Sequence, residues 1–63
     1  MKDIAKLIDE RRKELGLRKA DVAKRADVTY QTLWNIEHGK AITFQTLNKI
    51  LNTLELTIKI ERK

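Results

Sequence analysis

Two short stretches of helical periodicity, KADVAKRA and YQTLWNIEHG, stand in this 63-residue chain with only Asp27, Val28 and Thr29 between them. Short helices at that spacing predict a helix-turn-helix arrangement, in which the second helix keeps one face outward. The residues at the break suit it. Asp27 is of a type that tolerates the left-handed backbone of a tight turn. Thr29 is a good N-cap for the helix that follows. Val22, Ala23 and Ala26 predict an inward face of small residues on the first helix of the pair, so that another helix can approach closely. Leu33 and Ile36 predict the inward face of the second.

The flanking sequence is also helical. In DIAKLIDERRKELG the residues Ile4, Leu7, Ile8 and Leu15 predict one buried face, with Asp3 as a cap and Gly16 as a left-handed stop. In FQTLNKILNTLE the apolar positions are Leu47, Ile50, Leu51 and Leu54, and Thr43 can cap the start. The last residues, LELTIKIERK, change period. Leu56, Ile58 and Ile60 alternate with Thr57, Lys59 and Glu61, as in a strand with one apolar face. The expected fold is all-α. Four or five short helices form a domain over residues 1–54, and residues 55–63 form a terminal strand and tail. A lone strand leaves polar backbone groups unpaired along both edges, so this one needs a partner.

Composition narrows the sources of stability. A domain of this size buries only about 60% of the surface its unfolded chain exposes, and often needs a disulfide, a metal or a second subunit. The chain has no Cys and a single His, which removes the disulfide and disfavours structural zinc. Oligomerisation is left, and the lack of Cys fits a reducing, cytoplasmic setting. There is no signal-peptide core at the N-terminus, no transmembrane run and no Pro. With no Gly-rich phosphate loop, no metal cluster and no His–acid–Ser set, an enzyme is not expected, nor is a cofactor. Asp9 and Glu10 are adjacent and diverge on a helix, so they form no acid–base pair.

The outward side of YQTLWNIEHG carries the functional signal. It presents Tyr30, Gln31, Trp34 and Asn35 rather than a charged, solvated face. Gln and Asn amides can pair with adenine N6 and N7, and Thr or aromatic groups can meet the thymine methyl. Gln31 and Asn35 are one helical turn apart and point the same way. Thr29 and the amides just after it could bind phosphate at the helix N-terminus. The net charge is +5, and Arg11, Arg12, Lys13, Arg18, Lys19, Lys24 and Arg25 outnumber Glu14 and Asp21 before this helix, while Lys40 follows it. Such charge favours a polyanion such as nucleic acid. It also fits a merely solvated surface.

The stretch LGLRKADVAKRADVTYQTLWNIEHGK resembles the helix-turn-helix of the phage repressor and Cro-type (Xre) family. Leu17, Val22, Ala23, Ala26, Val28, Thr32, Leu33, Ile36, Glu37, Gly39 and Lys40 carry the match, and TFQTLNKIL resembles the family's next helix. The resemblance spans about residues 4–54. It implies base or nearby backbone contact by Thr29, Tyr30, Gln31 and Asn35, and phosphate contact by Lys19, Thr32, His38 and Lys40. It also implies a buried ion pair between Arg12 and Glu37. That inward role fits Glu37, since a carboxylate facing phosphates would be costly. Where the family commonly has Thr-Gln this chain has Arg18-Lys19, and Asp27 replaces the usual turn Gly. Trp34 stands where a small or polar residue is common, and can either pack on a neighbouring helix or face DNA or a partner.

The tail, KILNTLELTIKIERK, resembles the C-terminus of HipB-type antitoxins. There the strand pairs with its counterpart in a second subunit. This implies a homodimer whose interface includes Leu56, Ile58 and Ile60, and it raises a HipA-like kinase toxin as a partner. Isologous pairing satisfies one edge of each strand and sets two recognition helices about one DNA turn apart, as a palindromic operator requires. The resulting expectation is an antitoxin-type transcriptional repressor acting on double-stranded DNA. A protein-interaction module without specific DNA recognition is the alternative. Membrane binding is disfavoured, because the apolar faces are needed for the core.

Overall fold

The last three of the four helices begin where the local sequence can satisfy their free backbone groups. The structure is a computed structural model that describes residues 2–57, with helices α1 (Lys2–Glu14), α2 (Lys19–Ala26), α3 (Tyr30–Glu37) and α4 (Phe44–Thr53). Thr29 and Thr43 cap α3 and α4 as expected, accepting the Thr32 and Thr46 amides at 3.2 and 3.1 Å. At α2 the cap is Arg18, whose guanidinium has no acceptor to offer. Asp21 compensates by accepting the Arg18 N–H at 2.9 Å, and its carboxylate also takes the guanidinium at 3.2 and 3.3 Å. Because α1 starts at Lys2, Asp3 lies in its first turn rather than at its cap, where its charge still complements the helix dipole.

The C-terminal ends of the four helices share one device. Gly16, Asp27, Gly39 and Glu55 adopt left-handed φ angles of 68°, 57°, 69° and 60°. Each donates its N–H three residues back. The next residue donates five back, as in Leu17 to Arg12 (3.0 Å), Val28 to Ala23 (3.0 Å), Lys40 to Asn35 (2.7 Å) and Leu56 to Leu51 (2.7 Å). These are Schellman turns, which commonly tuck the residue after the left-handed one onto the helix they close. Leu17, Val28 and Leu56 do so, packing half-buried against the core. The turn after α3 differs, because Lys40 occupies that place and stays exposed. At Gly16 and Gly39 an added Cβ would meet nothing within 4 Å, so Gly is favoured there by backbone angle alone.

The core joins Ile8, Val22, Ala23, Ala26, Leu33, Ile36, Leu47, Ile50, Leu51 and Leu54, and Ile50 and Leu54 are completely buried. The small residues of α2 let it lie against both α3 and α4, while α1 packs on α3. Two expected core residues of α1 are not in the core. Leu7 is 50% and Leu15 36% exposed, whereas Ile4, Ala5 and Ile8 supply the covered stripe. Leu7 is rotated by about 100° from Ile8. Leu15 lies past the helix end, where the turn at Gly16 sends Leu17 inward instead. Arg11 ties α1 to the end of α4 by donating to the Leu54 carbonyl at 3.0 Å and to Glu55 at 3.1 Å.

The fold is thus all-helical among the described residues, with four helices rather than five and no strand. Leu56 and Thr57, the first residues of the expected strand pattern, belong to no regular element. Ile58 and Ile60, expected at the dimer interface, lie outside the described residues.

Asp27 bears a side chain in a conformation that suits Gly. Asp27→Gly is expected to stabilise the fold by roughly 0.5–1 kcal/mol, even after the freedom that Gly restores to the unfolded chain, and to raise Tm by about 4 °C. Thermal melting followed by circular dichroism measures this. A lower Tm would mean that the aspartate contributes more at the turn than its backbone strain costs.

Candidate nucleic-acid interface

α3 buries Leu33 and Ile36 and turns Tyr30, Gln31, Trp34 and Asn35 away from the core. Its first turn is fixed by Thr29, whose hydroxyl also lies 3.0 Å from that of Thr32. Thr32 is half-buried, and its hydroxyl bridges the first turn to that of Thr29. One turn on, the Gln31 side-chain Nε2 donates to Asn35 Oδ1 at 3.0 Å. This bond holds the two amides in register. It leaves the Gln31 Oε1 acceptor and the Asn35 Nδ2 donor available, the complement of adenine's N6 donor and N7 acceptor.

The other flank of the face is aromatic. Trp34 is 40% exposed and stacks on His38, with ring centroids 3.9 Å apart and an interplanar angle of 15°. His38 Nδ1 lies 2.8 Å from the Trp34 carbonyl oxygen. A carbonyl only accepts, so Nδ1 carries the hydrogen and donates. Of the two placements open to Trp34, the structure therefore has the outward one, braced by His38 rather than packed inside. The sequence expectations did not pair these residues, although their i, i+4 spacing puts them on one face of a helix.

The expected Arg12–Glu37 ion pair is not formed. Arg12 instead pairs with Asp9 at 2.8 Å and donates to the Leu17 carbonyl at 2.8 Å, while Glu37 pairs with Lys19 at 2.7 Å. Arg12 finds a carboxylate one turn back on its own helix and a carbonyl freed by the turn after α1, so its donors are satisfied locally. Glu37 then takes the cation at the start of α2. Both pairs border a small cleft whose apolar lining comes from Ala5, Ile8, Val22, Leu33 and Ile36. Lys19, expected at a phosphate, is thereby already matched by a carboxylate.

This pairing sorts the basic residues. Arg11, Arg12, Lys13, Arg18 and Lys19 each face a carboxylate. Among the described residues, Lys6, Lys24, Arg25, Lys40 and Lys49 are exposed and make no ion pair. Lys40 directly follows α3 and Gly39, beside the amide and aromatic groups of that helix. The described residues hold no cluster of His, Cys, Asp or Glu able to bind a metal. None of their helices is long and apolar enough to cross a membrane.

A family model described as helix-turn-helix, of the Cro/C1 type, matches residues 8–60. The chain belongs to that family, whose domains are DNA-binding and regulatory. No curated protein matches it.

The ion pairs give the fold a defined pH response. Hydrogen bonds from Arg12 and then Lys13 hold the Asp9 carboxyl below its ordinary value, and the Arg18 side chain and amide do the same for Asp21. The unfolded chain therefore binds more protons in acid. The stability these carboxylates contribute is complete above the unfolded aspartate value of about 3.9 and is lost as pH falls through the lower folded values. Lys19, raised by its hydrogen bond to Glu37, acts oppositely: its contribution is lost as pH rises through a folded value above about 10.4. Tm is expected to be level between these limits with respect to these groups and to drop below about pH 4. Melting the Asp9→Asn, Asp21→Asn double variant should show a smaller acid drop. An equal drop would assign the acid sensitivity elsewhere.

Proposed function

We propose that this helix-turn-helix protein is a sequence-specific transcriptional repressor of antitoxin type that occupies a palindromic operator as a homodimer. The observation that carries the reading is the Gln31–Asn35 amide pair, bonded at 3.0 Å on the outward face of α3. In this reading α3 enters the major groove, where Thr29, Tyr30, Gln31 and Asn35 meet base edges and Trp34 lies in the groove beside them. Thr32, His38 and Lys40 meet phosphates, joined by Lys19 where a phosphate displaces Glu37. The net charge of +5 supplies the sequence-independent part of the affinity.

Dimerisation through the tail is supported by the alternation of Leu56, Ile58 and Ile60 and by the uncovered Leu7. Leu7 precedes Arg11 by one turn on α1, and Arg11 binds the Leu54 carbonyl where the chain leaves α4. An apolar lid from a partner's tail would cover such a group. The antitoxin role, and a HipA-like kinase as the toxin, rest on the resemblance of the tail alone. The exposed aromatics Tyr30 and Trp34, at 56% and 40%, support a second reading, a module that binds a protein partner without reading DNA.

Selection of bound duplexes from a random pool separates the two. A repressor should recover an inverted repeat, bind it orders of magnitude above random duplex and lose affinity steeply with salt. Equal, feeble binding to every duplex would leave the protein-binding module. On the recovered site, Gln31→Ala is expected to weaken specific binding by about 1–3 kcal/mol without lowering Tm. Unchanged operator preference would remove Gln31 from the base-reading set. Ile58→Asp places a charge on the proposed apolar lid and is expected to give monomers in sedimentation. A persistent dimer would mean that the subunits meet elsewhere.

A further inference from the structure

The outward face of α3 is divided lengthwise. At 3.6 residues per helical turn, the direction opposite Leu33 and Ile36 falls between Gln31 and His38. On one side Asn35 joins Gln31 in the amide pair. On the other, Trp34 joins His38 in the stack, with Tyr30 one turn before it. The stack is fixed at both ends. The rings lie 3.9 Å apart, and the imidazole is tied back to the Trp34 carbonyl at 2.8 Å. A broad apolar group is thus held at the surface in one orientation, so that covering it costs little side-chain freedom.

We infer that the Trp34–His38 stack reads the C5-methyl group of thymine in the base pairs whose adenine is selected by Gln31 and Asn35. The inference rests on the DNA-reading function proposed above and names the chemistry of one flank of that site. An adenine presented to the amides is always paired with thymine, whose methyl lies in the same groove. A donor–acceptor pair on one flank and an apolar slab on the other therefore complement the two halves of an A·T pair. At a G·C pair the slab would instead cover the cytosine N4 donor without a hydrogen-bond partner, which is unfavourable. Lys40, exposed at the end of α3, supplies charge for the adjoining phosphates without entering the base-reading face.

The test uses the duplex recovered from the random pool. Each thymine in turn is replaced by deoxyuridine, which removes only the methyl group and keeps the base pairing. Binding of the full chain and of Trp34→Ala is then followed by fluorescence anisotropy at one salt concentration. At one or two thymines per half-site, the full chain is expected to lose about fourfold in affinity, the factor that goes with one buried methyl group. Trp34→Ala should bind the thymine and deoxyuridine forms of those sites equally. His38→Ala, which removes the brace but keeps the indole, should show a reduced methyl effect, and it takes the place of Trp34→Ala if that variant melts below the assay temperature. Deoxyuridine that is neutral at every position, or an equal loss in wild type and both variants, would overturn the inference while leaving DNA reading intact. Recovery of no preferred duplex would overturn both.

Discussion

The close seating of α2 against α3 and α4 is the contact on which the remainder of the structure depends. A helix of eight residues has little stability of its own, and α2 can lie near two neighbours only because it presents Val22, Ala23 and Ala26 to them. Larger side chains would push α3 outward and change the angle at which its exposed face is presented. Ile50 and Leu54 fill the opposite side of the same core and are completely buried. With no Cys in the chain, this packing and its helix-end turns do the work that a disulfide does in other small domains.

Those turns also decide where the surface is quiet and where it is available. After α1, α2 and α4 the Schellman turn places an apolar residue back on the core. After α3 it places Lys40 in solvent. Charge pairing follows a similar division. Arg11, Arg12 and Lys13 of α1 and the cations at the start of α2 are matched by Asp9, Glu14, Asp21, Glu37 and Glu55, whereas Lys6, Lys24, Arg25, Lys40 and Lys49 make no ion pair among the described residues. Exposed pairs of this kind add little stability. Their larger consequence is to leave the positive potential to the unmatched residues, where a polyanion would feel it most.

Much of this was legible because it is local. Thr29 and Thr43 as caps, Gly16 and Asp27 in left-handed turns, and the inward faces of α2, α3 and α4 all follow from residues within a turn or two of one another. The outward Gln31–Asn35 pair is equally local, since i, i+4 amides on one helix face meet whatever the tertiary structure. The misplacements arose where one apolar pattern allowed more than one orientation. Leu7 and Leu15 satisfy a helical period, but a short helix against a small core covers a narrow stripe, and Ile4, Ala5 and Ile8 took it. The tail pattern of Leu56, Ile58 and Ile60 raises a similar question, since period two alone does not say which surface an apolar face will cover.

By itself, then, the sequence determined the caps of α3 and α4, the turns at Gly16 and Asp27, and that α3 would carry amide and aromatic groups outward. These depend on backbone angles and on side chains a turn apart, whose separations are fixed by helix geometry before any packing occurs. Only the tertiary structure decided which charges pair between elements, Arg11 with Glu55 and Lys19 with Glu37. Arg12 had Asp9, Glu37 and the Leu17 carbonyl as candidate partners; it is satisfied locally by Asp9 and Leu17, and the approach of α2 to α3 gave Glu37 to Lys19. An ion pair between separate helices is chosen by a difference of a few ångströms in space, and spacing along the chain does not encode that difference.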